Sequence, residues 1–361
     1  MLAPRERLVL AVAGRPVDRP PAICPGGMMT MATRSAMRVG GAAWPRAHTD
    51  PDAMARLVLA TQQETGLECL SVPFCMTVEA EALGCEVHLG TATVLPHVAR
   101  EALGDIAQLH RLPAFDPDRS GRAPVVLEAI RKLAAAATPY PVFGAVVGPV
   151  SLAAMIMEAA IFLRLVRRDP SAAERLIRAM EAVTLAFALA QRAAGADCVM
   201  IAEPSATGEV LGAGHFARLA LPALSRLLAA LRENLVPAIL HVCGDLRPVL
   251  APLATLGEFA LSVDAMVSGR QLAEALPRAV RIGNVDAFVL QRGPLSAIEK
   301  AARRAAREFH VVSPACGLVP TTPARHLRAL VQAVRDEDRS QAPVPCGAGS
   351  RPRQSRGAGT L

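Results

Sequence analysis

The stretch ILHVCGDL places a histidine and a cysteine two positions apart at the end of an apolar run, as His241 and Cys243. In an extended strand, residues i and i+2 point to the same side, so both side chains are expected to face one site. Imidazole nitrogen and thiolate sulfur are ligands that Zn²⁺ prefers. On spacing alone, a structural histidine beside a packed cysteine is the more common explanation, and placement at the end of a strand gives a metal site equal weight.

A third candidate ligand lies far along the chain. Cys316 follows another apolar run, in VVSPACGLVPTTP, where Gly317 allows a tight turn. If the two runs are strands whose ends meet, His241, Cys243 and Cys316 converge. Three such ligands would leave one coordination position of Zn²⁺ open to substrate. We therefore predict these three residues as metal ligands and as the catalytic residues.

Other polar residues also end apolar runs. Glu203 closes DCVMIAEP, Asp264 closes FALSVD, and Asn284 with Asp286 closes RIGNVD. Asp264 is predicted as a labile fourth ligand that substrate displaces. Glu203 could take that place or act as a hydrogen-bond partner, and Asn284 is predicted to contact substrate or cofactor.

Short apolar runs alternate with longer helical patterns along the chain, which favours strands covered on both faces by helices. One helix is predicted to begin at Asp169 and to close at Gly195. Eight runs alternating with helices indicate a single (β/α)8 TIM barrel, with a doubly wound open sheet as the alternative. The predicted strands are Pro21–Cys24, Cys69–Phe74, Pro141–Val147, Asp197–Ala202, Pro237–Val242, Phe259–Val263, Val280–Asn284 and Phe309–Ser313.

The two ends of the chain differ from its middle. The part up to about Asp50 is rich in Pro, Gly and Met and is predicted to be an N-terminal extension that covers the mouth or the bottom of the barrel. From Arg339 the chain consists of turn residues and arginines with almost no core residues. We expect one barrel domain over 1–338 and a disordered tail over 339–361.

Composition limits the classes of function. The net charge is +7, but the arginines are scattered over helical patterns and aromatics make up 3% of the chain, so a nucleic-acid partner is not expected. The eight cysteines lie mostly in apolar runs and nothing at the start resembles a secretion signal, which favours reduced thiols and a cytoplasmic location.

The most apolar segment runs from Pro141 to Leu163. Gly148-Pro149 interrupts it and Glu158 lies inside it, so a buried strand followed by a buried helix is expected there rather than a membrane span. Motifs of other enzyme classes are missing: there is no C-x-x-C pair, H-E-x-x-H helix, Walker loop or G-x-S-x-G elbow.

Several motifs resemble a known family. HVCGD at 241–245, CGLVPTTP at 316–323, VGPVSLA at 147–153 and IGNVD at 282–286 resemble the uroporphyrinogen decarboxylase superfamily, and more closely its cobalamin-dependent branch, the methylcobamide:coenzyme M methyltransferases. ICPGGMMTM at 23–31 and VPFCMTVEAEALG at 72–84 are also similar to that branch. The resemblance extends from about Arg5 to about Asp336.

The resemblance implies a zinc ion bound by His241, Cys243 and Cys316. It further implies that a zinc-bound thiolate, such as that of coenzyme M, takes the methyl group of a methylcobalamin-type corrinoid. A D-x-H-x-x-G corrinoid motif is absent, so the corrinoid is expected on a separate protein that docks over the barrel mouth. Gly26, Gly27, Met28 and Glu79, with Met29 and Glu81, are candidates to line that cavity or interface, or else form only a structural loop and helix start.

Three alternatives remain. Within the family, the transfer could run in the reverse direction, from a small methylated substrate to the corrinoid. Decarboxylation of a porphyrinogen is the second, but decarboxylases carry an arginine-rich loop near their start, and here no arginine lies between Pro20 and Thr33. A non-catalytic binding scaffold on the same barrel is the third.

Overall fold

Seven parallel strands form one curled sheet at the centre of the chain, of which the computed structural model describes residues 1–25 and 32–337. Most sheet positions are buried, because helices cover the outer side and the strands enclose the inner side. A small antiparallel hairpin stands apart, in the connection that follows the first strand of the sheet. In the order of the sheet the strands are β1 (Leu70–Ser71), β4 (Val142–Val147), β5 (Cys198–Ala202), β6 (Ala238–Val242), β7 (Ala260–Val263), β8 (Val280–Val285) and β9 (Val311–Pro314), and the hairpin is β2 (Glu86–His88) and β3 (His97–Arg100).

Helices follow most strands and return the chain to the other end of the barrel, as a TIM-barrel-like fold requires. They are α1 (Pro4–Val12), α2 (Arg34–Val39), α3 (Pro51–Thr65), α4 (Val78–Ala82), α5 (Ala123–Ala135), α6 (Pro149–Ile156), α7 (Ala159–Arg168), α8 (Pro170–Ala193), α9 (Gly212–His215), α10 (Leu221–Glu233), α11 (Leu250–Ala254), α12 (Gly269–Ala275), α13 (Ala287–Arg292), α14 (Leu295–Glu308) and α15 (Ala324–Arg335).

The segment 21–24 closes the barrel between β9 and β1. On one side Ile23 N donates to Val312 O, and on the other Glu68 N donates to Ala22 O. Only a single bridge, at Ala22, forms where a full strand was predicted. Pro20 and Pro21 have no N–H to donate, which limits the ladder that this segment can form.

The other predicted strands are confirmed within a few residues, except that the run 69–74 contributes only Leu70–Ser71 because Pro73 interrupts its pairing. The predicted helix from Asp169 is confirmed as α8. The Asp169 side chain accepts a hydrogen bond from Ala172 N, and Gly195 follows the helix with a φ of +112°.

The apolar segment 141–163 folds as the expected strand and helix, β4 and α6, followed by the first turns of α7. No helix in the described part of the chain is both long and apolar enough to span a membrane. The predicted tail over 339–361, and with it the domain boundary at 338, lies outside the described residues.

The N-terminal extension begins at the bottom of the barrel, where the strands start. Arg5 N donates to Pro139 O, just before β4, and Arg7 and Arg19 both contact the carboxylate of Glu68, just before β1. Glu68 is 1% exposed, and its Oε2 also accepts from Ala22 N. Burial acts to raise the pKa of Glu68, but hydrogen bonds and charge from Arg19, with further contacts, hold it below its usual value. One carboxylate thus fixes the closing segment to two arginines.

Replacing Glu68 with alanine is expected to destabilise the protein by about 3–5 kcal/mol, because the variant leaves the mostly buried guanidinium of Arg19 without its carboxylate partner, whereas Arg7 keeps Asp18. Urea unfolding followed by circular dichroism measures the difference. Glu258→Ala removes an exposed ion pair with Arg278 and should change the free energy of unfolding by no more than about 0.5 kcal/mol. Equal losses in the two variants would contradict the role given to Glu68.

Candidate metal centre

His241, Cys243 and Cys316 meet at the carboxyl end of the barrel, the face where such barrels carry out chemistry. His241 Nε2 lies 2.9 Å from Cys243 Sγ, and the two sulfurs lie 3.3 Å apart. All three ligand atoms fall within 4.8 Å of one another. His241 is fully buried, whereas both cysteines are partly exposed, so the cluster opens toward the mouth. The structure therefore brings together the three residues that the sequence singled out.

Local backbone geometry explains how β6 presents its two ligands. His241 is the fourth residue of the strand and pairs with Ala202 on one side and Ser262 on the other. Cys243 comes directly after the strand, and Gly244 turns the chain with a φ of +74°. A Cβ at position 244 would lie 2.7 Å from the Glu209 carboxylate, so glycine suits this turn for two reasons.

The donor set fits a zinc ion. Tetrahedral ligands at about 2.0–2.3 Å from zinc lie roughly 3.5–3.8 Å from each other. The separations found here, 2.9 and 3.3 Å, are about half an ångström shorter, so small rotations of the side chains would admit the ion. The hydrogen bond with Cys243, helped by His241, lowers the pKa of Cys316 below its usual value, and the same contact raises the pKa of Cys243. One of the two cysteines is therefore readily deprotonated. Two thiolates at this distance would repel each other unless a cation lay between the sulfurs.

Asp264 lies beside the cluster but outside the group of three ligand atoms. It follows β7, is partly exposed, and its negative charge is one cause of the raised pKa of Cys243. Its role as a labile fourth ligand stays a prediction.

Asn284, on β8, is buried and fixes the loop that carries Asp264. Its Nδ2 donates to Asp264 O at 3.1 Å and to Val267 O at 2.7 Å. The structure gives Asn284 a clear role in holding this loop, and direct contact with substrate stays a prediction. Asp286, close by, accepts hydrogen bonds from Phe288 N and Val289 N at the start of α13.

Glu203 follows β5, is fully buried and is turned toward α6. Its carboxylate accepts hydrogen bonds from Val150 N, Ser151 N and Ser151 Oγ. Burial raises the pKa of Glu203 to about 7 in spite of these donors. A Cβ at position 148 would overlap this carboxylate, which explains the glycine in VGPVSLA. The arrangement connects β4, α6 and β5, and a role of Glu203 in substrate binding stays a prediction.

Glu79, in α4, is 1% exposed and its Oε1 accepts a hydrogen bond from Val147 N at the end of β4. Burial raises the pKa of Glu79 to about 7. A carboxyl group with that pKa can exchange a proton near neutral pH at this end of the barrel. Gly26, Gly27 and Met28 lie outside the described residues.

Sequence reasoning missed two polar groups near this face. Ser262 Oγ lies 3.0 Å from His241 Nδ1. Ser262 could have been found from the sequence, because it lies two positions before Asp264 in the run that ends at the barrel mouth. Arg122 donates to Glu81 Oε2 and Thr77 Oγ1 and approaches Cys75 Sγ. No local signal indicated Arg122, because it comes from a distant helix start.

Glu79→Gln is expected to change how stability depends on pH. A carboxyl group whose pKa is raised in the folded state binds more protons there than in the unfolded chain, so wild-type stability falls as pH rises from about 4.5 to 7. The glutamine variant cannot ionise, and its advantage over wild type should grow across this window by up to about 3 kcal/mol. Urea unfolding at a series of pH values measures it, with exposed Glu174→Gln as control. Parallel profiles for wild type and Glu79→Gln would contradict the raised pKa.

Comparisons with known proteins cover nearly all of the chain. The family model for uroporphyrinogen decarboxylase (URO-D) matches residues 3–337. The methylcobamide:CoM methyltransferase MtaA of Methanosarcina barkeri is 32% identical over 338 residues, which is 92% of this chain and 97% of that protein. A uroporphyrinogen decarboxylase of Thermobifida fusca is 30% identical over 299 residues, 80% of each chain. A solved methyltransferase from Methanosarcina mazei superposes with a TM-score of 0.87 at 31% identity, over 93% of this chain and 99% of that one. The chain therefore belongs to the uroporphyrinogen decarboxylase family.

Proposed function

We propose that this protein is a zinc-dependent methyltransferase that moves a methyl group from a corrinoid protein to a small thiol such as coenzyme M. The observation that carries the proposal is the group of His241, Cys243 and Cys316 within 4.8 Å at the mouth of the barrel. The relative named methylcobamide:CoM methyltransferase supports it, since it matches over almost the whole length of both chains.

His241, Cys243 and Cys316 would hold the zinc ion and leave one position open toward the mouth. Bound Zn²⁺ supplies the substrate thiol in its thiolate form at neutral pH, because coordination strongly favours the deprotonated sulfur. The thiolates of Cys243 and Cys316 would balance the charge of the ion, so that the substrate sulfur would stay electron-rich and nucleophilic. His241 is fully buried, so the barrel wall covers the site on the protein side.

The transfer needs one displacement. The thiolate sulfur attacks the methyl carbon, a sulfur–carbon bond forms, the cobalt–carbon bond breaks, and its electron pair stays on cobalt as cobalt(I). The protein contributes position, because attack must be in line with the cobalt–carbon bond. A proton leaves the thiol when it binds. Glu79, buried in this end of the barrel with a pKa of about 7, is a candidate to receive it.

Exposed apolar side chains on the mouth side support docking of a corrinoid-carrying partner there. Met266, in the loop after β7, is 50% exposed, and Phe288, in the first turn of α13 after β8, is 73% exposed. Val210 and Val319, in the loops after β5 and β9, are also exposed. Large apolar side chains grouped on one face commonly mark a surface for protein contact.

The decarboxylase activity has less support. The Thermobifida fusca decarboxylase matches a smaller share of both chains than the methyltransferase does. Two cysteines and a histidine in mutual contact are also a donor set for a soft metal rather than a binding surface for the carboxylates of a porphyrinogen.

The purified protein is expected to contain about one zinc per chain, measured by inductively coupled plasma mass spectrometry. His241→Ala and Cys316→Ala should each lose most of it, because two remaining ligands bind zinc weakly. Cys198→Ala is the matched control: it removes a buried cysteine on β5 outside the ligand group and should keep its zinc. Zinc retained by both ligand variants would contradict the assignment of ligands.

With methylcobalamin and coenzyme M, the protein is expected to produce the absorbance spectrum of cobalt(I) under anaerobic conditions. Removing zinc with a chelator or by His241→Ala should lower the rate at least about 100-fold, because the thiol then stays largely protonated. A panel of other thiols, assayed in the same way, identifies the acceptor. A zinc-loaded protein that transfers methyl to no thiol would refute methyl transfer and favour a scaffold.

A further inference from the structure

The hydroxyl of Ser262 lies directly behind the metal ligands, in the wall of the barrel. Ser262 Oγ is 3.0 Å from His241 Nδ1, and both residues are fully buried. The contact follows from the register of the sheet, since His241 on β6 pairs with Ser262 on β7. Neighbouring residues on paired strands hold this geometry more firmly than a loop could.

We infer that Ser262 is a positioning residue that prepares His241 to bind the metal, an inference that rests on the proposed function. A neutral imidazole carries one proton, and the nitrogen without it is the one that can bind a metal. Ser262 Oγ accepts the hydrogen bond from Nδ1–H, which leaves the lone pair on Nε2. Nε2 is the nitrogen that faces Cys243 Sγ at 2.9 Å.

The neighbours of Ser262 keep its hydroxyl in place. β7 lies between β6 and β8 with parallel pairing on both sides. Immediately after the strand, Asn284 Nδ2 holds the carbonyl groups of Asp264 and Val267. The position of the hydroxyl therefore does not depend on the exposed part of the loop that follows.

A serine rather than a carboxylate at position 262 also affects the net charge around the three metal ligands. A partner that orients a metal-binding histidine is often a carboxylate, which adds a negative charge behind the ligand. Two cysteine thiolates already balance the two charges of Zn²⁺, and a neutral hydroxyl keeps that balance. Asp264 already contributes one negative charge beside the cluster, and a neutral hydroxyl at position 262 adds no second carboxylate to repel an incoming thiolate.

The test compares Ser262→Thr with Ser262→Val, two variants of nearly the same shape that differ by one hydroxyl. Zinc affinity is measured by competition with a chromophoric chelator, and the absorption spectrum of the cobalt(II)-substituted protein reports ligand geometry. Ser262→Thr should match wild type, whereas Ser262→Val should bind zinc about 10–100-fold more weakly with an altered cobalt(II) spectrum. Ser71→Ala is the control, because this buried hydroxyl bonds Cys24 O and contacts none of the three ligands.

A second variant tests the charge argument. Ser262→Asp should bind zinc at least as tightly as wild type, yet bind coenzyme M about tenfold more weakly in titrations of the cobalt(II) protein. Equal affinity of wild type and Ser262→Asp for coenzyme M would overturn that part of the inference.

The outcomes separate this inference from the proposed function. If wild type binds zinc and Ser262→Val binds it as tightly with the same cobalt(II) spectrum, Ser262 does not position His241, and the methyltransferase proposal stands. If wild type binds no zinc at all, the proposed function is refuted, and the inference about Ser262, which rests on it, is refuted as well.

Discussion

A closed parallel barrel forces the carboxyl ends of its strands onto one face, and the candidate site depends on this constraint. His241 and Cys243 belong to β6, and Cys316 follows β9, three strands further around the sheet. They touch only because the barrel curves and closes. Closure is made at the segment 21–24, which Glu68 holds at the opposite end. Glu68 at the bottom therefore stabilises the barrel closure on which the sulfur cluster at the mouth depends.

Charge is distributed differently at these two ends. At the bottom, Glu68 is surrounded by arginines that hold it ionised despite burial. Toward the mouth, Glu79 and Glu203 lie in surroundings that raise their pKa to about 7. Buried groups that titrate near neutral pH are common where proteins handle protons. In the proposed reaction, a thiol that binds as a thiolate would release a proton at this end of the barrel.

Much of the fold could be predicted from the sequence, because buried parallel strands are short apolar runs between helices. The predicted strand that contains His241 ends at Val242, which is also the last residue of β6. Asp169 caps the N-terminus of α8, as expected for an aspartate at the start of a helix. The prediction was wrong in extent at Pro21–Cys24 and Cys69–Phe74, where prolines remove or interrupt backbone pairing. Apolar patterns record burial, whereas the length of a strand depends on hydrogen bonds with a neighbour.

By itself the sequence determined which residues could bind a metal and that each stands where a strand ends, because i and i+2 in a strand face one side. Only the tertiary structure decided which of them meet. It brought Cys316 to Cys243, placed Asp264 beside the group, turned Glu203 toward α6, and set Ser262 behind His241. The reason is that periodicity is a local property, whereas register and closure join residues that are far apart in the chain.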